Sequence, residues 1–325
     1  MNSPGKAPDP TGVQKLLVIT GPTATGKTAL GVEFALQLNG EVISADSMQV
    51  YRGMDIGTAK PTFAEMHGVP HHMIDVADPS ERFSAARYVE LAAACVDDIR
   101  ARGRTPIVVG GTGLYIEGLL RSAPYAAAPG DTGVRQALET EYDAVGGEAF
   151  RKKLAEFDPE RAARLHPEDK KRLVRACEIY ELTGATITEH DAESKSRPPR
   201  YEAFQVALDF ARRDTLYERI DRRAAQMFEA GLADEVRNLL DRGLNPDCTA
   251  MQAIGYKETA AYLRGACTLA EAVDKVQRES RRYAKRQLTW LRRNQTVRWN
   301  RWETEPDLGA ARRISTEYLL ACAVK

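Results

Sequence analysis

Eight consecutive residues, Gly21-Pro22-Thr23-Ala24-Thr25-Gly26-Lys27-Thr28, satisfy the pattern G-x-x-x-x-G-K-[ST] that cradles phosphate. In such a loop the backbone N–H groups converge on an anion, and the following helix adds the positive end of its dipole. Lys27 supplies a point charge, and the Thr28 hydroxyl is placed to ligate Mg²⁺, the cofactor the motif implies. A Gly-rich turn without a ligand is the plainer alternative, and the strand and helix patterns on either side argue against it.

What becomes of the phosphate depends on the acids nearby. A nucleotide-hydrolysing enzyme wants a carboxylate ending another strand, to hold metal and orient water. The segment "PIVVGG" instead runs into Gly111-Thr112-Gly113 with no acid, and "GTAKPT" lacks the acid of a guanine reader. Asp46, in "ISADSMQVY", follows a different strand, on the sheet edge where ligands of open α/β folds gather. There it can take a proton from a nucleophile attacking the bound phosphoryl or alkyl group. It can equally cap a turn, because D-S-x-Q resembles a helix start. On spacing alone both roles stay open.

The elements that must position these residues alternate. Strands are expected at Lys15–Thr20, Glu41–Asp46, His71–Val76 and Pro106–Gly111. Helices are expected at Lys27–Leu38, with Leu30, Phe34 and Leu38 on one face, and at Ala85–Arg102. Alternation of this kind implies a P-loop NTPase-like α/β fold, a parallel sheet with helices on both faces. From about residue 123 to 199 the pattern turns helical and charged, and a period-2 strand returns at Phe204–Phe210. The chain therefore divides into a flexible tail (1–14), an α/β core (15–122 and 200–325, its C-terminal part mainly helical) and an all-helical insertion (123–199).

Composition narrows the class. The 325 residues carry 46 Lys plus Arg against 46 Asp plus Glu, so the net charge is zero and any polyanion-binding surface must be local. Five scattered cysteines show neither zinc spacing nor a disulfide framework, which suits a reducing cytoplasm. No apolar run approaches the ~18 residues of a membrane span, and the polar, Pro-rich N-terminus does not read as a signal peptide. The adjacent His71 and His72 point apart on a strand and make a poor metal pair.

Basic residues do cluster. Arg278, Arg281, Arg282, Lys285, Arg286, Arg292, Arg293, Arg298 and Arg301 face one acid, Glu279, and several recur at helical spacing. An RNA-facing stripe and a solvated helix face are the two readings. Tyr283, Trp290 and Leu291 fall elsewhere on this helix and are expected in the core. Lys170, Lys171, Arg172 and Arg175 crowd a second helix start.

Seven segments together resemble the bacterial tRNA dimethylallyltransferases: "GPTATGKT", "ISADSMQVYRGMDIGTAKP", "VPHHMIDVADPSERFSAARY", "PIVVGGTGLYIEGLL", "HPEDKKRLVRACEIYELTG", "RIDRRAAQMFEAGLADEV" and "AMQAIGYKE". They occur in that family's order over about residues 16 to 300. The resemblance implies transfer of a dimethylallyl group from dimethylallyl diphosphate to N6 of adenosine 37, in tRNAs reading codons that begin with U. The diphosphate is then a leaving group, and water is a competitor to exclude. Asp46 matches the family's proposed general base, and Thr112 a threonine touching the bridging oxygen or the substrate at the reaction channel; among glycines a plain turn residue is the alternative. Arg223 matches an arginine near the diphosphate, with a surface helix ion pair to Asp221 or the neighbours of Arg219 as the alternative.

The resemblance also assigns tRNA contacts. Ser47, Met48 and Gln49 match the segment that recognises the target adenine, where a Gln could make two hydrogen bonds to the base edge. Lys171, Arg172 and Arg175 match a segment against the anticodon stem-loop, with Lys171 standing where the family usually has Gln. Arg135 matches another tRNA position, and Gln252 and Lys257 lie in a tRNA-facing loop. Arg281, Arg282 and Lys285 belong to the basic stripe. A monomer is expected. Transfer to free AMP, ADP or ATP is the nearest alternative, which would leave the basic surfaces without a purpose; a small-molecule kinase ranks below it.

Overall fold

The structure is a computed structural model and describes residues 14–121 and 133–323. The described residues divide into two compact units, Arg121–Arg200 and the chain on either side of it. In the larger unit the order is β1 (Gln14–Thr20), α1 (Lys27–Gln37), β2 (Gly40–Ala45), α2 (Phe63–Met66), β3 (His71–His72), α3 (Ala85–Ala101), β4 (Thr105–Gly110) and α4 (Gly113–Leu120). The helical unit holds α5 (Val134–Val145), α6 (Gly147–Ala155), α7 (Pro159–Arg164), α8 (Lys170–Thr183) and α9 (Ile187–Ser196). The larger unit then resumes with β5 (Tyr201–Phe210), α10 (Arg213–Glu229), α11 (Leu232–Asp241), α12 (Tyr256–Leu263), α13 (Leu269–Leu291), β6 (Arg298–Trp302) and α14 (Leu308–Ala323).

The six strands form one sheet in the order β3-β2-β4-β1-β5-β6, every neighbouring pair parallel. Parallel strands are covered on both faces, which is why β2 is buried at all six positions. Alternation along β1 sends Leu16 and Val18 to one face, against Tyr88, Val96 and Ile99 of α3. Leu17 and Ile19 go to the other, against Leu30 and Phe34 of α1 and Ile220 of α10. Each such side chain contributes roughly 1.5–3 kcal/mol. The α/β expectation holds.

Three details differ from the sequence pattern. The third strand is two residues long, because Met73 (φ 64°) and Asp75 (φ 57°) take left-handed conformations that no strand continues through. Leu38 is the C-cap of α1 and 39% exposed, so the apolar face ends at Phe34 and Ala35. β6 replaces expected helix: Arg298 and Arg301 point to solvent while Asn300 and Trp302 are buried, and Asn300 Nδ2 donates to Ser315 Oγ at 3.1 Å. Of the expected tail, residues 1–13 lie outside the described residues and Gln14 already belongs to β1.

The helical unit has its own core of Leu138, Phe150, Leu154, Leu173, Val174 and Cys177. Caps define its helix starts: Asp158 accepts from Arg161 N before Pro159, and Thr186 with Glu189 forms a capping box. An antiparallel bridge between Arg121 and Pro199 joins its two ends. Most of the irregular stretch before Arg135 lies outside the described residues.

Candidate active site

The cradle follows β1 at the carboxyl edge of the sheet, and α1 starts inside it at Lys27. Its carbonyls are engaged: Pro22 O accepts from Thr25 Oγ1 at 2.8 Å and Lys27 Nζ at 2.7 Å, Ala24 O from Arg219 Nε at 3.2 Å, and Thr25 O from Trp302 Nε1 at 3.3 Å. Gly21 packs against the Leu208 backbone, and Gly26 carries the left-handed turn (φ 84°) into α1. Thr28 is partly buried in the first turn of α1. Burial, with help from the Arg223 cation, pulls the Lys27 ammonium down to about 7, although Asp46 opposes this.

Arg223 comes from α10 and donates from Nη1 to Thr23 Oγ1 at 3.3 Å. The expected alternative, a surface pair with Asp221, does not form; Asp221 pairs with Arg281 at 2.5 Å. Burial lowers the Arg223 pKa, and the charges of Asp46 and Glu65 oppose it. Among the described residues neither Lys27 nor Arg223 closes an ion pair with a carboxylate. Two cations thus meet at one loop with excess positive charge.

Asp46 lies just beyond the end of β2. Its Oδ1 accepts from Met48 N at 2.9 Å and Gln49 N at 3.3 Å, so it caps this turn while its charge acts on Lys27 and Arg223. Capping and a second role are therefore compatible. Thr112 follows β4; its N–H donates to Ala45 O at 3.0 Å and its Oγ1 accepts from Ser47 N at 3.1 Å. The two loops are thereby stitched together, with Asp46 and Thr112 side by side. Met48 packs against the core.

The expectation of a Gln49 amide offered to a base needs correcting. Gln49 Oε1 accepts from Ser44 Oγ at 3.0 Å, and Nε2 donates to Thr58 O and Ala59 O at 3.3 and 3.2 Å. With both ends bonded to its own chain, the amide braces the loop at residues 54–59. Glu235 of α11 holds the same loop, accepting from the N–H groups of Asp55, Ile56 and Gly57 at 2.8–3.2 Å and from the Tyr256 hydroxyl at 2.5 Å.

Helix α13 supplies residues that sequence reasoning did not assign. Tyr283 turns toward the site rather than the core, with Asp46, Thr112 and Gln287 among the groups acting on its hydroxyl. Burial, reinforced by Asp46, pushes its hydroxyl up to about 12. Gln287 accepts from Thr23 N at 3.1 Å and donates to Gly111 O at 2.9 Å. A Cβ on Gly111 would overlap the Gln287 amide, and one on Gly113 the Trp290 indole, which explains the glycines around Thr112. The only sequence signal was that 283, 287 and 290 share a helix side opposite the basic stripe.

A model of the IPP transferase family matches residues 49–294, more than half of the chain. The chain belongs to the IPP transferase family. Among curated relatives, the tRNA dimethylallyltransferase of Halalkalibacterium halodurans is 50% identical over 286 residues, covering 88% of this chain and 90% of the relative. That of Geobacter sulfurreducens is 47% identical over 286 residues, covering 88% and 91%. The crystal structure of the tRNA isopentenylpyrophosphate transferase from Bacillus halodurans aligns with TM-score 0.70 and 46% identity over 94% of this chain and 96% of the other. A eukaryotic dimethylallyltransferase acting on tRNA aligns with TM-score 0.74 and 31% identity over 86% and 70%.

In this IPP transferase the predicted RNA-facing cations fall into two sets. Arg135 grips Glu178 through Nε and Nη2 at 3.1 and 2.7 Å, and Arg175 adds a third bond at 2.7 Å. Burial pushes the Glu178 carboxyl up, but the two guanidiniums together outweigh it and hold it below its ordinary range. Arg281 is likewise committed to Asp221. These three are held in intramolecular ion pairs. By contrast Lys171 and Lys285 are exposed, while Arg172 (75% exposed) and Arg282 (62%) touch only near-neighbour acids on their own helices, Asp169 and Glu279. Lys257 is half-exposed beside Glu258, and Gln252 donates to Pro246 O at 3.2 Å.

Proposed function

We propose that this IPP transferase moves a dimethylallyl group from dimethylallyl diphosphate to N6 of adenosine 37, in tRNAs that read codons beginning with U. The observation that carries this reading is the pairing of the Lys27–Arg223 cations with Asp46 and Thr112 across one sheet edge, where β4 brings no carboxylate to orient water. The names of relatives at 50% and 47% identity agree with it.

The chain's own groups divide the work. Lys27, Arg223 and the N–H groups of the loop hold the diphosphate. Thr112 contacts the bridging oxygen, and Asp46 faces the adenine amine. The C1–O bond breaks as the N6–C1 bond forms, the electron pair leaves on diphosphate, and the N6 proton goes to Asp46. An exocyclic amine is a weak acid, so the proton leaves with or after attack. Charge developing on the bridging oxygen is stabilised by donors already in place. A dry site keeps water from capturing the allyl group.

The donor set suits a substrate-borne Mg²⁺. Among the described residues no group of three His, Cys, Asp or Glu side chains is placed to hold a metal, and Mg²⁺ is ordinarily bound through one or two protein oxygens, substrate phosphates and water. Thr28 would hold it, and the ion would neutralise diphosphate charge. Lys171, Arg172, Arg282, Lys285 and Lys257 are proposed as tRNA phosphate contacts, because they are the exposed members of the predicted set. The target base must leave its stack to reach Asp46. No described helix is long and apolar enough to cross a membrane. A cytoplasmic location and a monomeric state are proposed with this reading.

Incubating the protein with dimethylallyl diphosphate, Mg²⁺ and either tRNA or AMP, followed by mass analysis of the nucleosides, tests the proposal. One prenyl group on adenosine 37 of tRNA is expected. Prenylation of AMP alone would move the assignment to an adenylate transferase, and no prenylation of either would refute it.

A further inference from the structure

One buried side chain ties the two halves of the site together. Gln287, 7% exposed on α13, accepts from Thr23 N at 3.1 Å and donates to Gly111 O at 2.9 Å. Thr23 carries Arg223 on its hydroxyl, so this end of the amide reaches the diphosphate grip. Gly111 precedes Thr112, whose Oγ1 receives the N–H of Ser47 next to Asp46, so the other end reaches the nucleophile side. The absent side chain of Gly111 makes room for the amide. Only a neutral group of this length, with one acceptor and one donor, satisfies both partners; a carboxylate meets one, and an alkyl chain neither.

We propose that Gln287 is a positioning residue that sets the spacing between the diphosphate cradle and the Thr112–Asp46 side, and hence the alignment of leaving oxygen and attacking nitrogen. This rests on the prenyl-transfer reading. Gln287 contacts no reacting atom in that scheme. Misplacement by ~1 Å costs about 10²-fold in rate while leaving ground-state grip largely intact. Loss of the brace therefore slows the bond-making step more than it weakens diphosphate binding.

The test compares wild type, Gln287→Glu and Gln287→Leu in single-turnover prenyl transfer to tRNA. Calorimetric binding of inorganic pyrophosphate with Mg²⁺ is measured in parallel, well below each melting midpoint. Gln287→Glu is isosteric and keeps the acceptor for Thr23 N, so it stands in should the leucine variant not fold. Both variants are expected to slow transfer about 10²-fold; in Gln287→Leu, which adds no charge beside the cradle, pyrophosphate Kd should change by less than about 3-fold. In a Thr112→Ala background the Gln287→Glu change should add less than about 3-fold, because the part it positions is gone. Equal losses in rate and in Kd for Gln287→Leu, an unchanged rate in Gln287→Glu, or full additivity with Thr112→Ala would overturn the assignment. Absence of transfer by wild type would instead overturn the prenyl-transfer reading itself.

Discussion

At the amino end of the sheet, Glu41 is 1% exposed and receives both guanidinium arms of Arg102, with Arg104 Nη1 at 3.2 Å and His72 Nε2 at 2.6 Å. At the carboxyl end of the same sheet, Lys27 and Arg223 rest on neutral oxygens, Pro22 O and Thr23 Oγ1. The first arrangement closes its charges internally, and hydrogen bonds from Arg102 hold the Glu41 carboxyl at about 2, against the cost of burial. The second leaves positive charge open to a ligand anion, and burial, with the Arg223 cation beside it, lowers the Lys27 pKa. The paired ions around Glu41 are architecture; the two cations resting on Pro22 O and Thr23 Oγ1 belong to the candidate site.

The sharpest way to break that contrast is Lys27→Ala, which should lower kcat/KM for prenyl transfer about 10²–10³-fold, read by steady-state kinetics. The same lysine gives a pH signature. With its free-state pKa at about 7, binding a diphosphate takes up a proton above that pH, so pyrophosphate affinity should fall as pH rises past about 7. Proton uptake measured in two buffers of different ionisation enthalpy checks it.

Asp46→Asn separates two roles of one residue. The asparagine oxygen still accepts from Met48 N and Gln49 N, so the melting midpoint should stay close to wild type. Single-turnover transfer should nonetheless fall about 10²-fold or more, because an amide accepts no proton. Equal turnover would reduce Asp46 to a cap.

Glu41→Gln should do the reverse, costing about 2 kcal/mol in denaturant unfolding with transfer unchanged at temperatures where the variant is folded. The sign with pH follows from its lowered pKa. The stabilisation is fully present above the ordinary value of 4.5 and is lost as pH falls toward about 2.

The smallest effects distinguish the cations of the helical unit. Arg135→Ala should cost about 1 kcal/mol in stability by uncovering Glu178, less than a fully buried pair because Arg135 is 38% exposed. Lys171→Ala should leave stability within about 0.5 kcal/mol and reduce the salt dependence of RNA binding by about one unit of slope.

Much of the candidate site's placement was legible because its parts are local in sequence. A cradle, its lysine and the strand before it are contiguous, and Asp46 stands out because an acid follows a strand. The period-2 and helical patterns likewise carry the parallel sheet. Contacts between distant segments were not legible: Gln287 is 264 residues from Thr23, and Glu235 is 180 from Asp55. Composition alone could not tell a free arginine from a committed one, since Arg135 and Arg175 find Glu178 only after folding. β6 was missed because exposed arginines on both faces of an edge strand break the apolar pattern of a parallel strand.

The proposed reaction requires the cradle to hold a leaving diphosphate rather than one to be hydrolysed or passed on. It is tested most directly by quantifying released diphosphate, released orthophosphate and prenylated adenosine in one reaction with dimethylallyl diphosphate, Mg²⁺ and tRNA. Diphosphate and prenylated adenosine should appear one for one, with no orthophosphate. Orthophosphate release, or diphosphate release without alkylated adenosine, would contradict the account.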